Sequence, residues 1–119
     1  MDIQPPVTES VVRTHLQAFL EQRGIAAILG DYAEDALLVS EDRTYRGRRD
    51  IGTFFVRFIA SLPPQGIDRF SLRSLRVAGD VAHITWSIGS EWPLGTDTFV
   101  VRNGKIVSQT FAMYATEAS

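Results

Sequence analysis

Residues 70–114 read FSLRSLRVAGDVAHITWSIGSEWPLGTDTFVVRNGKIVSQTFAMY, a run of β-forming residues interrupted by short turn signals. The strongest signal is Asn103-Gly104, because both central residues of a type I′ hairpin turn need a positive φ. Gly79-Asp80 marks an earlier turn, and residues 93–95 mark another. The segments between the turns are predicted to be strands, at 70–78, 81–90, 95–102 and 105–114.

Consecutive strands joined by such short turns pair as an antiparallel meander. Long antiparallel strands twist, so the sheet is expected to be curved. One face of this sheet has to bury its apolar residues against other elements of the chain. The preceding residues supply those elements.

Two upstream segments carry apolar residues at helical spacing. The first follows Thr8, a predicted N-cap, and ends before Gly24; the other covers residues 51–62 after Asp50. A shorter helix is predicted at 25–33, and a small hairpin is predicted from strands at 36–40 and 44–46. The predicted fold class is therefore α+β, with three N-terminal helices packed on a curved, mainly antiparallel sheet.

Length and composition fit one domain and exclude several functions. A chain of 119 residues with 45% hydrophobic residues can form one hydrophobic core that needs no disulfide or structural metal ion. It has no Cys, so thiolate metal sites and Cys nucleophiles are excluded, and a net charge of −2 gives no broad attraction to nucleic acid. No apolar run approaches a membrane span and no signal peptide is evident, so we expect a cytoplasmic protein that binds neither membrane nor nucleic acid. Residues 1–6, with Pro5 and Pro6, are predicted to be an extended arm.

Three stretches of sequence resemble a known family. Asp31-Tyr32-Ala33-Glu34-Asp35-Ala36 is similar to the Y-A-x-D-A segment of SnoaL-like domains, and Tyr45-Arg46-Gly47-Arg48, followed by Asp50-Ile51 and Phe54-Phe55, is similar to the segment after it. Residues 97–107, DTFVVRNGKIV, look like the closing stretch of the same family. SnoaL-like domains belong to the nuclear transport factor 2-like superfamily, which includes ketosteroid isomerases and polyketide cyclases. The resemblance covers nearly the whole chain, as one domain over 1–119 with its core at about 7–114.

The resemblance implies a cone-shaped α+β barrel with a pocket between helices and sheet. It also implies a homodimer formed through the exposed face of the sheet. The superfamily contains enzymes, binding proteins and adaptors, so fold analogy does not select a function.

Asp97 is the carboxylate that best fits a catalytic role. By strand alternation it shares a face with Phe99 and Val101, which places it in the apolar interior. Burial disfavours the charged form, so the pKa of Asp97 is expected to rise and leave a proton available for a developing oxyanion. The position resembles that of the oxyanion-hole aspartic acid of ketosteroid isomerases, an enzyme often used to illustrate this effect. The alternative is an Asp at the strand edge, in water or in a surface ion pair.

His15 is the second candidate catalytic residue. It lies on the apolar face of the first predicted helix, and its place resembles that of the oxyanion-hole tyrosine of ketosteroid isomerases. Imidazole can donate a hydrogen bond or move a proton near neutral pH. The alternative is a histidine at the core edge that bonds to a backbone carbonyl.

The resemblance does not supply a general base. Counting from Tyr32, the catalytic carboxylate of the isomerases falls at Ser40, which cannot take a proton from carbon without a partner base. In SnoaL-type cyclases the last strand carries a His and an acid, where this chain has Gln109 and Phe111. This chain therefore lacks the general base that the isomerase and cyclase mechanisms need at these positions.

The predicted site binds a small, largely apolar molecule and needs neither metal nor cofactor, since no His-x-His or Glu-x-x-His spacing occurs. Seven residues are predicted to contact the ligand: Tyr32, Ser40, Phe54, Phe58, Phe99, Gln109 and Phe111. Proton transfer of an isomerase, cyclase or dehydratase type is the predicted chemistry. One alternative is a non-catalytic binding, dimerisation or adaptor domain. Another is an anion-binding protein that uses Arg46, Arg48 and Arg49.

Overall fold

The computed structural model describes residues 7–116, which form three helices and six strands. The predicted arm at 1–6 lies outside these residues. The elements, in chain order, are α1 (Val7–Leu20), α2 (Ile25–Leu29), β1 (Tyr32–Val39), β2 (Thr44–Arg46), α3 (Gly47–Ser61), β3 (Phe70–Ala78), β4 (Val81–Ile88), β5 (Trp92–Arg102) and β6 (Lys105–Tyr114). No helix within 7–116 is long and apolar enough to cross a membrane.

The six strands form one curved sheet in the order β2-β1-β6-β5-β4-β3. From β3 to β6 the strands pair in chain order and antiparallel, as predicted from the turns. Asn103 and Gly104 have φ of 53° and 74°, which confirms the positive-φ turn between β5 and β6. β1 joins β6 in parallel, and β2 and β3 form the two edges. The α+β prediction is confirmed, but the sheet stays open and does not close into a barrel.

Several predicted boundaries are wrong. The helix predicted at 25–33 ends at Leu29, and Tyr32 already begins β1, because this backbone pairs with β6. Residues 93–95 are not a turn but part of β5; the chain turns before Trp92, where Gly89 has a φ of 55°. Tertiary pairing overrides the local turn preference of these residues.

The two predicted helix caps also differ from expectation. Thr8 lies inside α1, and its hydroxyl donates a 2.9 Å hydrogen bond to the carbonyl oxygen of Gly79. Asp50 lies in the first turn of α3, where its carboxylate accepts a 3.2 Å hydrogen bond from the Arg46 backbone N–H. Both side chains still satisfy backbone groups, although neither is an N-cap.

The core lies between the helices and the inner face of the sheet. Alternation along β4 buries Ile84 and Trp86, and alternation along β5 buries Asp97 and Phe99 on the same face. His15 of α1 packs over this face, together with the buried Phe rings of α3. The inner face therefore positions two polar side chains, Asp97 and His15, within an apolar layer.

Gly95 leaves the space in which the Trp86 indole lies. The two residues are direct partners across β4 and β5, and a Cβ on Gly95 would come within 2.1 Å of an indole carbon. The indole cannot easily move away, because it stacks on Phe70 with ring centroids 5.7 Å apart.

We expect Gly95→Ala to lower the free energy of unfolding by about 1–3 kcal/mol, the usual cost of overpacking a filled core. Urea denaturation followed by tryptophan fluorescence measures this change. Gly30→Ala is the matched control, since Gly30 has helical φ and ψ and a Cβ there would meet its nearest atom at 3.4 Å. An equal loss in both variants would contradict the explanation from indole packing.

Candidate functional site

A narrow cavity lies between α1, α3 and the inner face of the sheet. Its volume is about 40 Å³. A water molecule needs roughly 10–15 Å³ by the same measure, so the cavity has room for only a few atoms. The lining residues are His15, Leu16, Phe19, Phe54, Phe55, Phe58, Phe70, Ile84, Trp86, Asp97, Phe99, Gln109 and Phe111.

The Asp97 carboxyl is the polar centre of this cavity. Only 6% of the residue is exposed. The Trp86 Nε1–H donates a 2.7 Å hydrogen bond to Oδ1, and the Gln109 Nε2–H donates a 2.7 Å hydrogen bond to Oδ2. Burial raises the pKa of Asp97 to about 6, and the two hydrogen bonds oppose that rise. Asp97 is therefore an interior group and not a strand-edge residue in water.

Tyr32 and Gln109 extend the hydrogen bonding away from Asp97. The Tyr32 hydroxyl donates to Gln109 Oε1, and it lies 3.5 Å from His15 Nε2. Burial, aided by the nearby Asp97 and Asp31 carboxyls, raises the pKa of Tyr32 well above its ordinary value. The hydroxyl thus keeps its proton and connects Gln109 with His15.

His15 is buried among aromatic rings and is neutral. It is 3% exposed, and its imidazole makes edge contacts with the rings of Tyr32, Phe55 and Phe99 at centroid distances of 5.4, 5.7 and 5.5 Å. Burial lowers the pKa of His15 to about 4. Its Nδ1 has no hydrogen-bond partner, so the predicted alternative of a bond to a backbone carbonyl does not hold.

Asp31 is a site residue that the sequence did not indicate. Its Oδ2 is buried without a hydrogen-bond partner and lies 3.9 Å from His15 Nδ1. Burial raises the pKa of Asp31, and the positive charge of Lys105 opposes the rise. Trp86 was also missed, because an aromatic residue on the inner face of a strand normally indicates only core packing. The only indication in the sequence is that Trp86 lies two residues after Ile84 in the same strand, which places both side chains on the inner face.

Most of the predicted site residues come together. His15, Asp97, Phe54, Phe58, Phe99, Gln109 and Phe111 all line the cavity, and Tyr32 lies behind it, bonded to Gln109.

Ser40 needs a correction, because it lies away from the cavity. β1 begins earlier than predicted and ends at Val39, which leaves Ser40 in the turn before β2. There its hydroxyl donates to Asp42 Oδ1 at 2.5 Å and is 3.1 Å from the carbonyl oxygen of Arg43.

Neither a metal site nor an anion site gains support from the described residues. No group of three His, Asp or Glu side chains in residues 7–116 could hold a metal ion. In the predicted arginine cluster, the Arg48 guanidinium donates to the carbonyl oxygen of Tyr32 at 2.9 and 2.6 Å. Arg48 therefore ties the start of α3 to β1.

The two buried titratable groups make opposite contributions to stability as pH changes. The pKa of Asp97 is higher in the folded chain, so its contribution is complete below about pH 4 and is lost as pH rises through 6. The pKa of His15 is lower in the folded chain, so its contribution is complete above about pH 6.5 and is lost as pH falls through 4.

We expect single substitutions to separate these two contributions. The variant Asp97→Asn lacks the raised pKa of Asp97, which lies about two units above the ordinary value. Between pH 4 and 6.5 its free energy of unfolding should therefore rise by roughly 3 kcal/mol relative to that of the unmodified protein. His15→Gln should lose a similar amount over the same interval. Urea denaturation at a series of pH values measures both differences. Differences that stay constant with pH would show that neither group titrates abnormally.

Comparison with known proteins finds similarity to solved structures only. No family model matches the sequence, and no curated protein matches it. An NTF-2 like protein of unknown function from Burkholderia xenovorans has a TM-score of 0.74 at 20% identity, with 95% of this chain and 87% of that chain covered. A SnoaL-like protein of unknown function from Burkholderia thailandensis has a TM-score of 0.72 at 17% identity, with 96% and 100% covered. TerC, co-crystallised with polyporic acid, has a TM-score of 0.69 at 15% identity, with 91% and 92% covered.

These similarities cover almost all of each chain, while the identities are too low to carry a function across. The chain therefore has a nuclear transport factor 2-like fold, which SnoaL-like proteins of known structure share.

Proposed function

We propose that this chain binds a small, largely apolar molecule in the cavity and exchanges a proton with a polar group of that molecule through Asp97. The observation that carries the proposal is the placement of the Asp97 carboxyl, buried on the inner face of the sheet and lining a cavity of mostly aromatic residues. Burial raises the pKa of Asp97 to about 6, so its acid and base forms are both available near neutral pH.

The two candidate catalytic residues can take different roles in a proton transfer, Asp97 as the donor and His15 as the acceptor. Protonated Asp97 can donate to a carbonyl oxygen on which negative charge develops. Neutral His15 has a free lone pair on Nδ1 or Nε2, depending on the tautomer, and can accept a proton. Isomerisation, cyclisation and dehydration all combine such a donor with such an acceptor. A protein of the same fold, TerC, has been crystallised with an organic molecule, which supports ligand binding by this architecture.

The ligand has to displace aromatic side chains in order to enter. Phe54, Phe58 and Phe111 pack against one another, with ring centroids 5.0 to 5.8 Å apart, and the cavity beside them holds about 40 Å³. Phe58 is only partly buried, so its rotation towards solvent is the least costly way to enlarge the cavity. An apolar ring of the ligand would then replace a Phe ring in the aromatic layer.

We expect 4-nitrophenol, an apolar ring with one ionisable hydroxyl, to bind and Asp97→Asn to weaken that binding at least tenfold. The variant loses the group that can carry the proton, and a tenfold loss corresponds to about 1.4 kcal/mol. Absorbance titration measures the affinity and also reports the ionisation of the phenol. Conversion of cyclohex-3-enone to the conjugated cyclohex-2-enone, followed by ultraviolet absorbance, measures proton transfer.

Asp80→Asn is the matched control for both measurements, since Asp80 is exposed and pairs with Arg102 at 3.6 Å on the surface. It should leave the affinity and the isomerisation rate unchanged. Equal affinity for 4-nitrophenol in D97N and in the unmodified protein would remove Asp97 from the site.

The alternative function is a non-catalytic binding, dimerisation or adaptor domain. The small cavity favours it, and so does the absence of a base at the positions of Ser40, Gln109 and Phe111. In that case the unmodified protein should not isomerise cyclohex-3-enone, and a dimerisation or adaptor domain should in addition bind no 4-nitrophenol.

We also propose a homodimer formed through the outer face of the sheet, opposite the cavity. Val81 pairs with Val100 and Leu94 pairs with Tyr114 across neighbouring strands. Val81, Leu94 and Tyr114 are 41%, 42% and 64% exposed, and apolar surface of this kind is commonly covered by a partner.

Sedimentation velocity should therefore detect a dimer at micromolar concentration, and Val81→Lys should shift it towards monomer by placing a charge in the interface. Val56→Lys is the matched control, because it adds the same charge at a 57% exposed position of α3, away from the outer face of the sheet. A monomer at every concentration would contradict the dimer.

A further inference from the structure

A line of polar side chains, hydrogen-bonded except between Asp31 and His15, runs from the partly exposed Asp31 to the buried Asp97. Asp31 Oδ2 faces His15 Nδ1 at 3.9 Å, and His15 Nε2 lies 3.5 Å from the Tyr32 hydroxyl. The Tyr32 hydroxyl bonds to Gln109, which bonds to Asp97 at 2.7 Å. Three neutral side chains thus separate two carboxyls, and each of the three can donate at one end while it accepts at the other.

Trp86 determines the direction of the hydrogen bonds at the inner end. Its indole N–H can only donate, so Asp97 Oδ1 is always an acceptor and any proton on Asp97 belongs on Oδ2. When Asp97 is ionised, Oδ2 accepts from Gln109 Nε2, and Gln109 Oε1 accepts from Tyr32. The Tyr32 oxygen then accepts from His15 Nε2–H, which leaves His15 Nδ1 without a proton. A bare Nδ1 favours a protonated Asp31, since two facing lone pairs repel.

Protonation of Asp97 reverses every bond along the line. The Oδ2–H then donates to Gln109 Oε1, so the amide turns over and its Nε2–H donates to the Tyr32 oxygen. Tyr32 donates to His15 Nε2, and the proton of the imidazole moves to Nδ1. Nδ1–H now faces Asp31 Oδ2 at 3.9 Å, and their attraction is strongest when Asp31 is ionised.

We propose that Asp31 is a positioning residue for the proton of Asp97, and that the two carboxyls share one proton through His15, Tyr32 and Gln109. This inference deepens the proposed function and rests on it for its catalytic meaning. The exchange is balanced: Asp31 loses one proton, Asp97 gains one, and the three connecting side chains keep their proton count. A proton passed from Asp97 to a ligand would therefore favour uptake of a proton from solvent by Asp31, whose side chain is 19% exposed.

Groups at both ends of the line can stabilise an ionised carboxyl. Lys105 of β6 donates a 2.6 Å hydrogen bond to the carbonyl oxygen of Gly30, and its charge stabilises the ionised form of Asp31. The side chains in contact with Asp97 are the neutral Trp86 and Gln109. The shared proton is thus drawn towards the inner carboxyl by Lys105 at the outer end, and towards Asp31 by the two donors at the inner end.

The test uses Asp31→Asn, which removes the carboxylate at the outer end of the line. Without it, an Nδ1–H on His15 faces no negative charge, so the arrangement with protonated Asp97 loses its stabilisation. We expect D31N to lower the pKa of Asp97 by at least one unit, measured from the carbon-13 shift of its carboxyl against pH. Loss of the Asp31 charge also acts through space, so the same substitution is made in a Tyr32→Phe background, where the line is cut.

In Tyr32→Phe the D31N substitution should move the pKa of Asp97 by less than a third as much. The same shift in both backgrounds, or no shift in either, would overturn the shared proton. If Tyr32→Phe does not fold, Gln109→Met cuts the line at the next residue. The measurement needs no ligand, so the relay can fail while 4-nitrophenol still binds, and binding can fail while the coupling between Asp31 and Asp97 is intact.

Discussion

The burial of one carboxyl against two fixed donors determines the properties of this site. Asp97 lies in an apolar layer that disfavours its charge, and the N–H groups of Trp86 and Gln109 compensate part of that cost. An unsatisfied buried carboxylate would destabilise the sheet, whereas a fully solvated one would have an ordinary pKa and no special reactivity. A buried carboxyl with two hydrogen-bond donors lies between these extremes. Trp86 of β4 and Gln109 of β6 supply the donors, and the antiparallel register of the two strands with β5 brings both next to Asp97.

Much of the fold could be predicted from local sequence signals. Asn103-Gly104 and the alternation on either side of it are sufficient for the antiparallel half of the sheet, because turn geometry and side-chain period act over a few residues. The parallel pairing of β1 with β6 has no such local signal. Tyr32 was therefore predicted at the end of a helix, although it begins a strand that joins residues more than 70 positions apart in the chain.

The candidate site could be predicted only in part, for a similar reason. Alternation placed Asp97 inside, and helical spacing placed His15 on the apolar face of α1, as the structure confirms. Asp31 was missed because its role depends on the approach of His15 from another element. Ser40 was misplaced because its position was carried over from the isomerases by counting from Tyr32, whereas β1 ends at Val39 and Ser40 lies in the turn that follows.

The missing side chain at Gly95 has a consequence for the energetics of the proposed proton transfer. It allows the Trp86 indole to lie against the backbone of Gly95 and to stack on Phe70. In this position the indole N–H already points at Asp97. A donor held in this way is preorganised: it needs no reorientation when charge appears or disappears on the carboxyl, so that reorganisation cost is absent from the activation barrier. The smallest residue in the sheet thereby makes its polar centre rigid.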